Sequence, residues 1–331
     1  MKKKHQWRTV AIALALTLTA GTAAADEALR RSAQQLFGRV EAARPAERDA
    51  PAAQLGRALF WDTRISADGR TACASCHTAE AAGADPRPTP IDARGKPMPR
   101  QSLTVFNSLA QPTLRWLADR PDAAKMAEGL TTGPMGFATH GDVLAALGRA
   151  GYGERFSAAF ADDAEPLSMR NYGLAIAAYQ ATLATPAPFD RYLAGDERAL
   201  TARQQAGLRR FIDTGCAGCH GGPLLGGKLL QRFGIVREYA SATGSNPVDP
   251  GRYAITKREE DRNVFRVPML RNVAKTAPYF HDGSVATLPA AVRVMADVQL
   301  GRALDDAQAA EIAAFLESLS GEVPEHYAPL R

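Results

Sequence analysis

Cysteine is scarce in this chain of 331 residues: there are four in all, and none stands alone. They form two pairs, Cys73/Cys76 and Cys216/Cys219, so no thiol is left over for a separate reactive site. Long apolar runs are missing as well. The stretch that comes nearest extends from Val10 to Ala20, short of the ~20 apolar residues that cross a bilayer. Strand signals are few, because alanine and leucine dominate and recur at helical rather than alternating spacing. These absences argue against a membrane-embedded chain and against a sheet-based one.

The short apolar run has a recognisable setting. Lys2, Lys3, Lys4 and Arg8 precede it, and Ala23, Ala24 and Ala25 close it before Asp26. A basic head, an apolar centre and a small-residue end are the layout of a secretory signal over residues 1–25. A retained membrane anchor is the rival reading. Removing four basic residues and no acid takes the formal charge from +5 to about +1, so the basic character resides largely in the leader. No electrostatic case for nucleic acid remains. The expected location is the periplasm.

In an exported chain, four cysteines would ordinarily pair as two disulfides. Their setting argues otherwise. Residues 73–77 read CASCH and residues 216–220 read CAGCH. Two residues between cysteines with a histidine adjoining is the attachment signal of a c-type haem. The cysteines form thioethers, and the histidine is the proximal iron ligand. Thioredoxin-like and zinc-site readings fit poorly, since no βαβ context is present and the histidines would have no role. The expectation is two covalent haem c groups, held by Cys73, Cys76 and His77 and by Cys216, Cys219 and His220.

Helical spacing marks residues 34–43, 142–149, 171–183, 202–213, 288–298 and 306–318, with Thr201 and Asp305 as N-caps. Long Gly/Pro segments at 83–99, 221–227 and 240–251 lie between them. Each CxxCH follows a helix-like run and precedes a Gly/Pro-rich loop, a weak internal repeat. The sequence predicts an all-α chain of two cytochrome-c-like domains, residues 26–186 and 187–331, joined near Thr185, Pro186, Ala187 and Pro188.

Several longer strings occur in a fixed order: LGRALFWDTRIS (55–66), PRQSLTVFNS (99–108), FDRYLAGD (189–196), FRVPMLRNVAKTAPYFHDGS (265–284) and MADVQLG (295–301). On these, with the two CxxCH motifs, the chain resembles the bacterial di-haem cytochrome c peroxidases, a group that includes the methylamine-utilisation di-haem oxidases. The resemblance covers residues 55–319. It implies an N-terminal haem that meets peroxide and a C-terminal haem that relays electrons to it. A haem with two strong protein ligands mainly transfers electrons, whereas chemistry needs an open position.

The resemblance places Met295 as the second ligand of the His220 haem, with Met269 as rival; the residue-modifying oxidases carry a tyrosine there instead. Where the peroxidases supply a removable distal histidine, this chain has none, and Ala93 stands near the expected place. The His77 haem is therefore either permanently open or reached by His140. Peroxide cleavage needs a proton-shuttling group, in the family a glutamate just before a Met-Gly pair. Met135 and Gly136 match, but Pro134 occupies the glutamate's place, leaving Glu128 or His140 as substitutes. Trp116 falls between the haems, Arg266 is the basic residue of the haem region, Arg271 supports its loop, and His281 lies near the domain interface. A calcium ion would be held at Gln101, Thr276 and Pro278.

Three functions stay open: a peroxidase reducing hydrogen peroxide with electrons from a small periplasmic cytochrome c or cupredoxin, a di-haem oxidase modifying a partner protein, and a non-catalytic electron carrier. The resemblance also implies a homodimer.

Overall fold

The computed structural model describes residues 26–330; the leader expected at residues 1–25 lies outside them. The fold is mostly helical, but it is not purely α. Strands Leu230–Arg232 and Val264–Arg266 form a two-stranded antiparallel sheet, with Leu230 opposite Arg266. At three residues each, they are too short for their alternation to be read from the sequence.

The strongest helical expectations recur with small shifts of boundary: His140–Arg149, Met169–Ala181, Ala202–Thr214, Leu288–Leu300 and Asp306–Glu317. Thr201 Oγ1 accepts the Gln204 amide at 3.3 Å, and Asp305 Oδ1 accepts the Gln308 amide at 2.8 Å, so both expected caps form. The expected helix at 34–43 is corrected. The helix there covers residues 26–36, and the chain beyond is irregular. Leu29, Ala33 and Phe37 are buried at helical spacing. Past Phe37, the Val40 amide turns to Asp190 Oδ1 (2.6 Å) and Gly38 lies against Pro223, where a Cβ would come within 2.7 Å of the ring. Tertiary contacts end this helix early.

Two further helices, Pro51–Trp61 and Ala123–Thr132, complete the framework of the N-terminal half. Each CxxCH follows a helix that crosses the last long helix of its own half. Pro51–Trp61 meets Met169–Ala181 at Gly56, where a Cβ would fall 1.9 Å from the Ala175 carbonyl oxygen. Ala202–Thr214 meets Asp306–Glu317 at Gly207, where a Cβ would fall 2.0 Å from the Glu311 carbonyl oxygen. The same device, a glycine that lets two helix backbones touch, fixes the platform beside each motif.

Two large apolar cores result. One gathers Leu59, Phe60, Phe106, Phe156, Tyr172 and Tyr179; the other gathers Phe189, Leu208, Phe211, Ile312, Phe315 and Leu316. Each side chain of this kind contributes ~1.5–3 kcal/mol by burial. The chain ends cross over between the cores. Leu29, Ala33 and Phe37 belong to the second core, while Tyr327 belongs to the first and donates to the His77 carbonyl. His326 Nε2 lies 2.9 Å from Thr182 Oγ1 and helps to seat this tail. No helix among the described residues is long and apolar enough to cross a membrane.

Candidate functional site

Two cavities of about 210 Å³ each lie side by side. The first is lined by Cys216, Cys219 and His220, and the second by Cys73, Cys76 and His77. The four thiols form no disulfide. Both histidines are oriented by the same kind of contact. His77 Nδ1 lies 2.8 Å from the Gly83 carbonyl oxygen, and His220 Nδ1 lies 3.1 Å from that of Leu225. Donation from Nδ1–H leaves Nε2 unprotonated, the state a metal ligand needs. Burial pushes both imidazoles down, His220 to about 4, so each is neutral.

One wall is common to both cavities: Gln101, Leu103, Thr104, Gln111, Trp116 and Arg266 line each of them. Trp116 Nε1 donates to the Gln101 carbonyl at 2.9 Å, and its carbonyl accepts the Arg266 amide at 2.7 Å. Arg266 is only 3% exposed. Its guanidinium donates to the Arg115 carbonyl and to Gln111 Oε1, but it meets no carboxylate among the described residues. Burial without a counter-charge brings it down to about 10. A buried cation of this kind calls for an anion in the cavity. Arg271 differs: it is fully paired, at 2.7 and 2.9 Å, with Asp190.

Met295 and Met269 both line the His220 cavity. Met295 comes from the Leu288–Leu300 helix, as expected, and packs beside Phe233, Tyr239 and Phe265. His281 lines the same cavity, and its ring stacks on Phe265 at 4.3 Å. Its Nε2 has no hydrogen-bond partner among the described residues and stands 4.0 Å from Asp249 Oδ2. Gln101, Thr276 and Pro278 all contribute to the lining of this cavity. Among the described residues, no cluster of three or more His, Cys, Asp or Glu is placed to hold a metal.

The His77 cavity has an unusual lining. Pro90, Ile91, Met126, Leu130, Pro134 and Met135 contribute to it; among the described residues His77 is its only histidine and no carboxylate lines it. His140 sits exposed at the start of its helix, outside the lining. Glu128 also lies outside, and its carboxylate pairs with Lys125 at 3.2 Å. Ala93 and Pro134 are in direct contact: the Ala93 amide donates to the Pro134 carbonyl at 2.8 Å. Arg94 fastens the same junction, donating to the carbonyls of Gly133 (2.8 Å) and Thr132 (3.1 Å).

Two buried polar atoms on this cavity's lining residues went unnoticed in the sequence. Ser108 Oγ and Gln180 Oε1 have no partner among the described residues. Tyr172, Ile176 and Gln180 recur at intervals of four along one helix and all line the cavity. That spacing, with polar groups at both ends, was the available signal.

The family described as di-haem cytochrome c peroxidase matches residues 50–198. The cytochrome c551 peroxidase of Pseudomonas aeruginosa is 42% identical over 281 residues, 84% of this chain and 81% of that protein. Its counterpart in Nitrosomonas europaea is 35% identical, covering 96% and 91%. Among solved structures, a MauG-like protein associated with microbial copper homeostasis superposes with a TM-score of 0.73 at 27% identity, covering 88% of this chain and 96% of that one. With paired CxxCH cavities on one shared wall and this degree of likeness, the chain belongs to the di-haem cytochrome c peroxidase family, whose members are oxidoreductases acting on peroxide.

Proposed function

We propose that this protein reduces hydrogen peroxide to water in the periplasm, with electrons from a small cytochrome c or cupredoxin. The observation that carries this reading is the shared wall: two CxxCH cavities separated by Trp116 and Arg266. The residues fit the family's two haem c groups. Thiols and a neutral imidazole face each cavity, an uncompensated guanidinium awaits an acidic substituent, and two orphaned polar atoms await partners. When bound, the haem c groups supply electron storage and a site for peroxide.

The chain's own residues divide the work. Cys216, Cys219, His220 and Met295 hold the electron-entry group, and a neutral thioether there favours the reduced metal. Cys73, Cys76 and His77 hold the group at the peroxide site. Trp116 spans the gap between them, and Arg266 balances negative charge on the wall both share. Ala93 and Arg94 hold the loop over Pro134 and Met135, so no side chain needs to withdraw before peroxide enters. A calcium ion at Gln101, Thr276 and Pro278 would stiffen this wall through oxygen ligands, with water completing a shell of six to eight. The domains divide at residues 26–186 and 187–331, with their terminal segments exchanged, and the protein pairs as a homodimer after loss of residues 1–25.

A second reading has its own support. A lining with no histidine beyond His77 and no carboxylate among the described residues suits an oxidase that withdraws electrons from a partner protein rather than from a shuttle. Methionine at 295 instead of tyrosine weighs against it; a non-catalytic carrier would fill both cavities as well, and Pro134 in the His77 lining is its support. Adding peroxide to the reduced protein decides between them. Rapid oxidation with turnover of a reduced cytochrome supports the peroxidase, oxidation without donor turnover supports the oxidase, and no reaction refutes both.

A further inference from the structure

An apolar face covers the outside of the His220 cavity. Strand Leu230–Arg232 alternates: Gln231 lines the cavity, while Leu230 and Arg232 point away from it. Phe233 again faces in, and the chain then folds across the C-terminal end of the helix that carries Met295. Gln299, one turn beyond Met295 on the same helix face, fastens it there. Its Oε1 accepts the Gly234 and Ile235 amides at 2.6 and 3.1 Å, and its Nε2 donates to the Arg232 carbonyl at 3.1 Å. Val236 and Arg237 both donate to the Val298 carbonyl. The residues left outside are large and apolar: Leu229 and Leu230 are 45% and 44% exposed, Ile235 and Val236 52% and 54%. Exposed patches of this kind mark contact surfaces.

The rim is predominantly basic. Residues 228–238 hold Lys228, Arg232 and Arg237 against a single acid, Glu238, and Arg302 follows the helix end. Arg237 pairs with Asp297, whereas Lys228, Arg232 and Arg302 are exposed and have no ion-pair partner among the described residues. We propose that this face, with Leu230, Ile235 and Val236 at its centre and Lys228, Arg232 and Arg302 around it, docks a small redox protein whose exposed redox edge is apolar and ringed by acidic residues. The inference rests on the electron-entry role proposed for the His220 cavity and adds the surface and the charge of its partner. Gln231, Phe233 and Gln299, neighbours of this face along the chain or by hydrogen bond, line that cavity.

The test uses the haem-loaded protein and two forms of one probe: a reduced, lysine-rimmed cytochrome c and the same protein succinylated, which reverses its charge. Reduction of the His220 centre is followed by stopped flow without peroxide. The succinylated form is expected to react about tenfold faster at low salt, the gap closing as ions screen it beyond ~8 Å. The double variant Arg232→Glu/Arg302→Glu inverts the preference. Ile235→Asp/Val236→Asp slows both forms but leaves peroxide consumption with a small-molecule reductant unchanged. Equal rates for the two probes, or variants that react as wild type, overturn the proposal. So does a drop in sedimenting mass for Ile235→Asp/Val236→Asp, which would assign the face to contact between copies. Failure to consume peroxide with the small-molecule reductant refutes the peroxidase reading instead, and the probe rates still decide the surface.

Discussion

Trp116 touches both cavities with one indole, and its two polar contacts fix how it does so. Nε1 is held by the Gln101 carbonyl, and the backbone carbonyl is held by Arg266. Trp116→Phe removes the first contact and keeps most of the ring, so stability falls by ~1 kcal/mol. Trp116→Ala also empties the gap, and electron transfer between the two centres slows about tenfold, equivalent to ~1.4 kcal/mol on the barrier. Chemical denaturation and flash reduction measure the two effects. Pro134 poses the opposite question. It lines the His77 cavity, where no carboxylate stands among the described residues, so proton movement is expected to limit turnover. Pro134→Glu places an acid there without removing the carbonyl that Ala93 uses, and steady-state peroxide turnover rises by ~100-fold, the lower range of general acid–base contributions. An unchanged rate would show that proton delivery already has another route.

At the scale of elements, the two halves are built alike, each around a helix crossing closed by a glycine. Gly56→Ala and Gly207→Ala drive a methyl into a backbone carbonyl, at a cost of ~1–3 kcal/mol or more each. Gly148, in the exposed turn of His140–Arg149, has nothing within 4 Å of its Cβ position. Gly148→Ala is the control and stabilises by ~0.5–1 kcal/mol. Thermal melts of the three variants check the contrast. Helices with a cap residue and a sustained apolar stripe were legible in the sequence; Ala202–Thr214 and Asp306–Glu317 came within one residue. Residues 34–43 misled because their apolar spacing continues past the point where Asp190 captures the Val40 amide. The CxxCH residues were legible as two separate units because their spacing marks them, and each unit lines its own cavity. The orphaned Ser108 and Gln180 were not, since only the cavity reveals that they lack partners.

For the whole molecule, the crossed termini tie the halves together. Tyr327 packs against Phe106 at 4.7 Å between ring centres and donates to the His77 carbonyl, 250 residues away in sequence. No local pattern announces a contact of that span. Tyr327→Ala empties a buried site and is expected to lower stability by ~3–5 kcal/mol, with the His77 unit opening before the His220 unit in hydrogen exchange; Tyr327→Phe costs ~1 kcal/mol. Uniform opening of both halves would show that the tail is not what anchors the first.

The shared wall matters only if the two sides of it differ, one metal centre closed by Met295 and the other left accessible beneath Ala93 and Pro134. Electron paramagnetic resonance of the haem-loaded protein, fully oxidised and then reduced by one electron, reads this directly. The account predicts a low-spin signal from the His220 centre that vanishes on reduction and a high-spin signal from the His77 centre in both samples, abolished by peroxide. Low-spin signals from both centres in the oxidised sample, with the His77 signal still low-spin after one-electron reduction and unresponsive to peroxide, would contradict it.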